Sequence, residues 1–259
     1  MAAVDVAAWV GGYPYRHLRE PSPEWLLRQM DRLDIARAWV AHLPSVLYRD
    51  PAPGTQELLR LLDPHRDRLE PVPTLHPGLP GWEQDLTDAV AMRAPAVRVH
   101  PAHLGVDPVG GEMRILGAAA AAAGIPLLLS VRLEDLRQRH PLDRVDELGA
   151  SSVRTLVRCD PRLKLLVSHA ERSFIEEVHF GLTPEESRRL VWDIAWVWGP
   201  PEDHLTLLLE TIGIQRFVLG TGMPLRIPDT PFAKLDLLGL SKEKREMILS
   251  GNLERWQKG

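Results

Sequence analysis

Eight short apolar runs separated by helix-forming segments predict an α/β chain folded as a (β/α)8 TIM barrel. The length of 259 residues suits that fold, which takes about 250. The runs fall at Ala3–Val10, Ile35–His42, 69–76, 96–100, 125–132, 163–169, 190–197 and 217–221. No Ser/Gly-rich linker or close repeat interrupts the alternation, so residues 1–259 are expected to form one domain. Strand-helix alternation also suits an open doubly wound sheet, but no G-x-G-x-x-G or P-loop pattern accompanies it.

The connecting segments carry helix signals in chain order. The segment 24–33 follows Pro21-Ser22-Pro23, with Ser22 placed to cap it. In 55–62 the residues Leu58, Leu59, Leu61 and Leu62 form a stripe, and in 82–92 Trp82, Leu86, Ala89 and Val90 recur at helical intervals. An alanine run in 112–123 is closed by Gly124, a favoured residue just past a helix end. A further helix, 202–211, follows Pro200-Pro201. The stretches 132–162 and 171–189 are longer than simple connections and are expected to hold a helix plus an irregular excursion.

Composition excludes several classes of function. The chain is 44% hydrophobic and 25% charged, with 31 Lys+Arg against 35 Asp+Glu and a net charge of −4. That balance offers no cationic excess for a phosphate backbone, so no nucleic-acid partner is expected. The longest apolar stretch, 115–131, is broken by Gly117, Gly124 and Pro126, so no membrane partner is expected either. The start MAAVDVAAWVGG lacks a positively charged leader, and Cys159 is the only cysteine. Both features point to a cytoplasmic protein without intrachain disulfides. Cys159 itself, before Asp160-Pro161, reads as a boundary thiol at a helix end.

In a TIM barrel the site lies at the carboxyl ends of the strands. Here those ends carry His42, His76, His100, Ser130 with Arg132, Ser168 with His169, and Thr221, while His103 and His204 fall in loops. One such histidine alone more often caps a strand than binds a ligand. Several on one face point to a small-molecule site. No H-x-H, H-E-x-x-H or C-x-x-C pattern appears, and Ser130 and Ser168 lack a G-x-S-x-G context. Asp193 sits inside the apolar run LVWDIAWVWG, where it either faces the mouth or pairs with a basic neighbour. By period-two spacing Trp192, Trp196 and Trp198 form a packing face of that strand.

Five segments, in order along the chain, resemble the amidohydrolase-related family of metal-dependent hydrolases and decarboxylases. Val4-Asp5-Val6-Ala7-Ala8-Trp9 resembles the first strand, where Asp is followed by His-x-His. Leu127-Leu128-Leu129-Ser130 and Leu166-Val167-Ser168-His169 resemble the fifth and sixth strands, each of which ends in histidine. Leu219-Gly220-Thr221-Gly222-Met223-Pro224 resembles the eighth-strand motif that carries a catalytic aspartate, and Gly251-Asn252 the closing helix. The resemblance implies a distorted TIM barrel. Of its metal-binding and catalytic positions, however, Ala7, Trp9, Ser130 and Gly222 have lost their groups, and only His169 remains. No metal cofactor is therefore expected.

The reaction this leaves is a metal-independent hydrolysis of a small carboxylate, ester or lactone. His169 or another strand-end histidine would serve as base, and Arg132 or Arg98 would stabilise the oxyanion. The remaining substrate-binding candidates are His76, His100, His103, Ser130 and Asp193. Two alternatives stay open. One is a catalytically degenerate barrel that binds a ligand or assembles as a homodimer or with an active paralogue. The other is a relocated metal site built from His42, His76, His100, His103 and His169.

Overall fold

A computed structural model describes residues 2–19, 21–199 and 203–259. Its strands are β1 (Ala3–Val10), β2 (Ile35–His42), β3 (Leu69–Pro71), β4 (Val97–Val99), β5 (Leu127–Ser130), β6 (Leu165–Ser168), β7 (Leu190–Asp193) and β8 (Phe217–Val218). All the pairings are parallel, in the orders β1-β2-β3 and β4-β5-β6-β7-β8. A bridge between Thr74 and Arg98, with Arg98 N–H donating to Pro73 O at 2.8 Å, joins the two groups. On the other side Val6 N–H donates to Leu219 O at 3.0 Å and Trp9 N–H to Met223 O at 2.9 Å. These contacts, made just beyond the ends of β3 and β8, bring the two groups together at both edges, the arrangement that a (β/α)8 barrel requires.

Helices follow the strands: α1 (Pro23–Leu33), α2 (Ala52–Leu62), α3 (Trp82–Ala91), α4 (Pro101–Leu104), α5 (Gly111–Ala123), α6 (Ala150–Cys159), α7 (Arg172–Phe180), α8 (Pro184–Arg188), α9 (His204–Leu208), α10 (Thr230–Leu237), α11 (Lys242–Glu246) and α12 (Asn252–Lys258). Ser22 caps α1 through Trp25 N–H, and Gly124 closes α5 in the left-handed region, as the sequence predicts. The expected helix 202–211 is shorter. Pro200, Pro201 and Glu202 lie outside the described residues, and α9 passes into a π turn at Leu209–Gly213. None of the described helices is long and apolar enough to cross a membrane.

Strand alternation sorts the core into an inside and an outside. Val97, Val99, Leu127, Leu129, Leu165 and Val167 face the outer helices, whereas Ala96, Leu128, Leu166, Val191 and Val218 fill the barrel. In β1 the parity changes part-way, because Asp5 opposes Ala38 while Ala8 opposes Val40, leaving one extra residue as a bulge. Val4 and Val6 point inward before the bulge and Trp9 after it. Asp5 stabilises this irregularity by accepting Ala7 N–H at 3.0 Å. The closing Gly251-Asn252 pair also has a mechanical role, since Asn252 Nδ2 donates to Ile214 O and Phe217 O and tethers β8.

Six of the eight strands, all but β1 and β2, are shorter than the apolar runs suggest. β7 ends at Asp193 rather than continuing to Val197, so the tryptophans do not share a strand face. Trp192 packs edge-on against Phe174 in the outer core, Trp196 is buried at the mouth, and Trp198 is 48% exposed. Cys159 ends α6, half-buried, where the backbone of Gly117 passes so close that an added Cβ would lie 2.6 Å from its Sγ.

Candidate functional site

The β1 bulge delivers Trp9 to the centre of the mouth, where its side chain is fully buried. The indole centroid lies 5.7 Å from that of His100 and 6.4 Å from that of His169, and Arg98 Cζ sits 4.1 Å from the ring centroid. A guanidinium over an indole face is a favourable cation–π contact. Trp9 stands at one of the two first-strand positions where the resemblance expects a metal-binding histidine, and its ring packs between His100, His169 and Arg98. Nearby, Ser130 Oγ accepts from Arg98 Nη1 at 2.9 Å. Gly222 has φ +70°, and a Cβ there would lie 3.2 Å from the Arg226 side chain and 3.3 Å from His169 Nε2. Any side chain at 222 would therefore be strained and crowded.

These residues do not fit a divalent metal. His169 is the one ligand-type side chain left at the matching positions, and no group of three or more His, Cys, Asp or Glu able to hold an ion occurs among the described residues. The relocated histidine site is also not assembled. His42 Nδ1 pairs with Ser45 Oγ at 2.9 Å, and His76 Nδ1 accepts Gly78 N–H within its own turn. Only His100, His103 and His169 remain near one another.

Burial sets the electrostatics of this centre. His169, at φ +60° and 1% exposure, donates from Nδ1 to Arg132 O at 3.1 Å, which leaves its lone pair on Nε2. Desolvation pushes its pKa down to about 4; Arg98 and Arg226 add to the shift and Asp193 opposes it. His100 is held well below its ordinary range by burial first and then by Arg98. Arg98 is fully buried with Ser130 as its hydrogen-bond partner, and its Nε and Nη2 have none. Burial lowers it to about 9 against the pull of Asp193 and Asp5. Among the described residues no carboxylate lies within ion-pair distance of it.

Asp193 is fully buried, forms no ion pair among the described residues, and leaves its Oδ2 without a hydrogen-bond partner. Its Oδ1 accepts the backbone N–H groups of His169 and Ala195, at 3.4 and 3.0 Å, and so fixes the left-handed turn at His169. Gly220 lies against it so closely that a Cβ there would fall 2.6 Å from Asp193 Cβ.

Beside Trp9, a cleft of about 350 Å³ opens between the loop after β4 and the excursion after β5, a volume suited to a small molecule. His100 and Ser130 line it together with His103, Arg132, Arg139 and Glu147. Arg132 pairs with Glu147 at 2.8 Å and Glu171 at 3.3 Å. Arg139 Nε lies 3.4 Å from Asp143 Oδ2, and His103 Nε2 lies 3.7 Å from Asp143 Oδ1. Outside the cleft lining, Trp196 packs against Arg132, its ring centroid 5.4 Å from Arg132 Cζ and 3.7 Å from Arg226 Cζ. Lys234 holds that loop by donating to Ile194 O and Ala195 O at 2.9 and 3.0 Å.

Of the residues singled out in the sequence, His100, His103, Ser130 and Arg132 meet on this cleft, with Arg98 directly behind Ser130. His169 contacts Trp9 but does not line the cleft, and His76 joins neither group. Sequence reasoning missed Arg139, Asp143, Trp196 and Arg226. The clue for Trp196 was its place three residues beyond Asp193, at the point where a strand of this length must end. Arg139 and Asp143, at i and i+4 in an irregular stretch, and Arg226, in a loop, gave none.

No family model matches the sequence, and no curated protein matches it. Solved structures do match in fold. A probable 2-pyrone-4,6-dicarboxylic acid hydrolase from Acinetobacter baumannii, with citric acid bound, is 11% identical over 100% of both chains, with a TM-score of 0.71. 2,6-Dihydroxybenzoate decarboxylase from Rhizobium is 13% identical over 99% of this chain and 98% of its own, with a TM-score of 0.75. A dihydroxybenzoic acid decarboxylase from Polaromonas, with manganese and 2-nitroresorcinol bound, is 13% identical over 99% and 97%, with a TM-score of 0.72. The eight parallel strands and these full-length likenesses together show that the chain has the amidohydrolase-like TIM-barrel fold.

Proposed function

We propose that this barrel binds a small carboxylate in the cleft beside Trp9 and hydrolyses an ester or lactone bond in it without a metal ion. The observation that carries the reading is Arg98, a buried guanidinium with no carboxylate partner, which donates to the serine on the cleft floor. Such a charge supplies a fixed positive potential in a low-dielectric wall, and an anion bound at Ser130 and Arg132 compensates it. The mouth histidines are neutral at physiological pH because burial depresses them, so each has a free lone pair. An arriving carboxylate raises their basicity. The similar proteins named as a dicarboxylic acid hydrolase and as dihydroxybenzoate decarboxylases make carboxylates the first probes to try.

Calorimetry with citrate and 2,6-dihydroxybenzoate is the direct test. Arg98→Met is expected to weaken binding about tenfold or more. The variant should keep or raise the unfolding midpoint, because a well-packed apolar side chain of similar volume often replaces a buried charge without loss. Equal affinity in the two proteins would overturn the reading. Turnover is measured on a panel of lactones and esters. Protein purified without chelator is expected to carry less than about a tenth of an equivalent of transition metal, since a working site would be largely occupied.

A second reading, a barrel that binds its ligand without turnover, is favoured by the burial of His169 behind Trp9 and Trp196. Such a protein would act as a homodimer or with an active paralogue. Tight citrate binding with no turnover across the panel selects it.

A further inference from the structure

The three histidines at the mouth differ in which nitrogen is left to act. His169 spends Nδ1 on Arg132 O, and its Nε2 is buried without a partner. His100 is 2% exposed and its Nε2 is likewise buried and unpaired. His103 is arranged differently. It is the third residue of α4, immediately after β4, and its ring lines the cleft. Its Nε2 is buried without a hydrogen bond, as in the other two, but it faces a carboxylate at ion-pair distance, Asp143 Oδ1 at 3.7 Å, which leaves Nδ1 as the nitrogen on the far side of the ring. Asp143 is itself buried, and Arg139 Nε lies 3.4 Å from its other oxygen. A carboxylate behind one imidazole nitrogen keeps the proton there, leaves the lone pair on the other nitrogen, and stabilises the imidazolium once it forms.

We propose that His103 is the catalytic base of the hydrolysis and that Asp143 is its positioning residue. The proposal rests on the hydrolase reading above and names the base within it. His103 Nδ1 takes a proton from a water whose oxygen attacks the ester carbon. The carbonyl electron pair moves to oxygen, facing Arg132 and the Ser130 hydroxyl backed by Arg98. Collapse of that oxyanion breaks the bond to the leaving oxygen, which recovers the proton from the imidazolium. The products are a carboxylic acid and an alcohol, with no change in oxidation state.

The charged and titratable groups around His103 are Asp143 and Arg139 on the excursion, His100 at the end of β4, and Arg132, Arg144, Asp146 and Glu147 across the cleft. Burial lowers the His103 pKa first; Asp143 opposes the shift and Arg139 adds to it. Removing the Asp143 charge should therefore lower it further.

The experiment is the pH profile, between about pH 5 and 9, of hydrolysis of para-nitrophenyl acetate and of a para-nitrophenyl ester bearing a free carboxylate. His103→Gln is expected to lose about 100-fold in kcat, the scale of general base catalysis, and to lose the ionisation from the profile. Asp143→Asn should keep the ionisation but move its midpoint to lower pH. His17→Gln, an exposed histidine elsewhere, controls for adventitious imidazole catalysis. Folding of each variant is checked by its unfolding midpoint. Turnover that survives in folded His103→Gln, or an unmoved midpoint in Asp143→Asn, overturns the inference alone. Wild-type protein that hydrolyses neither ester overturns the hydrolase reading and the inference with it.

Discussion

Asp5→Ala is expected to destabilise the protein by about 3–5 kcal/mol, whereas Asp5→Asn is expected to be neutral or stabilising at neutral pH. The carboxylate accepts Ala7 N–H at 3.0 Å, Thr221 N–H at 2.9 Å and Thr221 Oγ1–H at 2.6 Å, all of them buried. Alanine leaves three buried donors without an acceptor. Asparagine keeps an acceptor for the two backbone groups and removes the desolvated charge.

The charge is costly: burial raises the carboxyl pKa from 3.8 to about 6, although Thr221 and Ala7 oppose the shift. The folded state therefore binds a proton more tightly than the unfolded chain. Its contribution is fully present below about pH 4 and is lost as pH rises through about 6, a change of about 3 kcal/mol at most. His169 works in the opposite sense. With its folded pKa near 4 against 6.5, it contributes stability above pH 6.5 that is lost as pH falls towards 4. His100 follows His169 in direction. Urea-unfolding midpoints of the wild type should thus fall only moderately over this acid window, because the Asp5 term offsets part of the two histidine terms. Those of Asp5→Asn should fall steeply on acidification. Parallel pH curves for the two proteins would refute this account.

Trp9→Ala is the second large change, with an expected loss of about 3–5 kcal/mol, the usual cost of truncating a fully buried aromatic side chain. Its effect reaches beyond packing. The indole shields His100 and His169 and covers one face of Arg98. Once it is gone, solvent reaches both imidazoles and their pKa values should climb back towards 6.5. Thermal unfolding together with a histidine NMR titration reads both effects. A loss below about 1 kcal/mol with unmoved imidazoles would mean that the ring does not plug the barrel.

The fold was legible because parallel strands buried on both faces appear as continuous apolar runs. β1 and β2 match the expected limits at both ends. The other six are shorter than the runs because the chain leaves the ladder at the mouth while still apolar, as Ile194 to Val197 do after Asp193. The same effect hid the role of Trp196, since a period-two stripe carries meaning only while the strand continues. The shared position of His100, Ser130 and Arg132 followed from the strand ends, and that of His103 from the loop just beyond one of them. The places of Asp143 and Arg139 did not follow, because the excursion after β5 has no period from which to place a side chain. The inward aim of Trp9 depends on the β1 bulge, which no spacing in the sequence announces.

The pairing of Asp5 with Thr221 also bears on the order of assembly. Its partners are 216 residues apart in the chain, so the ring can close only after nearly the whole protein has been made. Until then β1, buried along its full length in the finished molecule, presents an apolar open edge. Contacts of such long range form late and slowly, and exposed edges of this kind invite pairing between chains. Refolding yield should therefore depend on protein concentration, and a chain ending before Thr221 should aggregate rather than remain a soluble partial barrel.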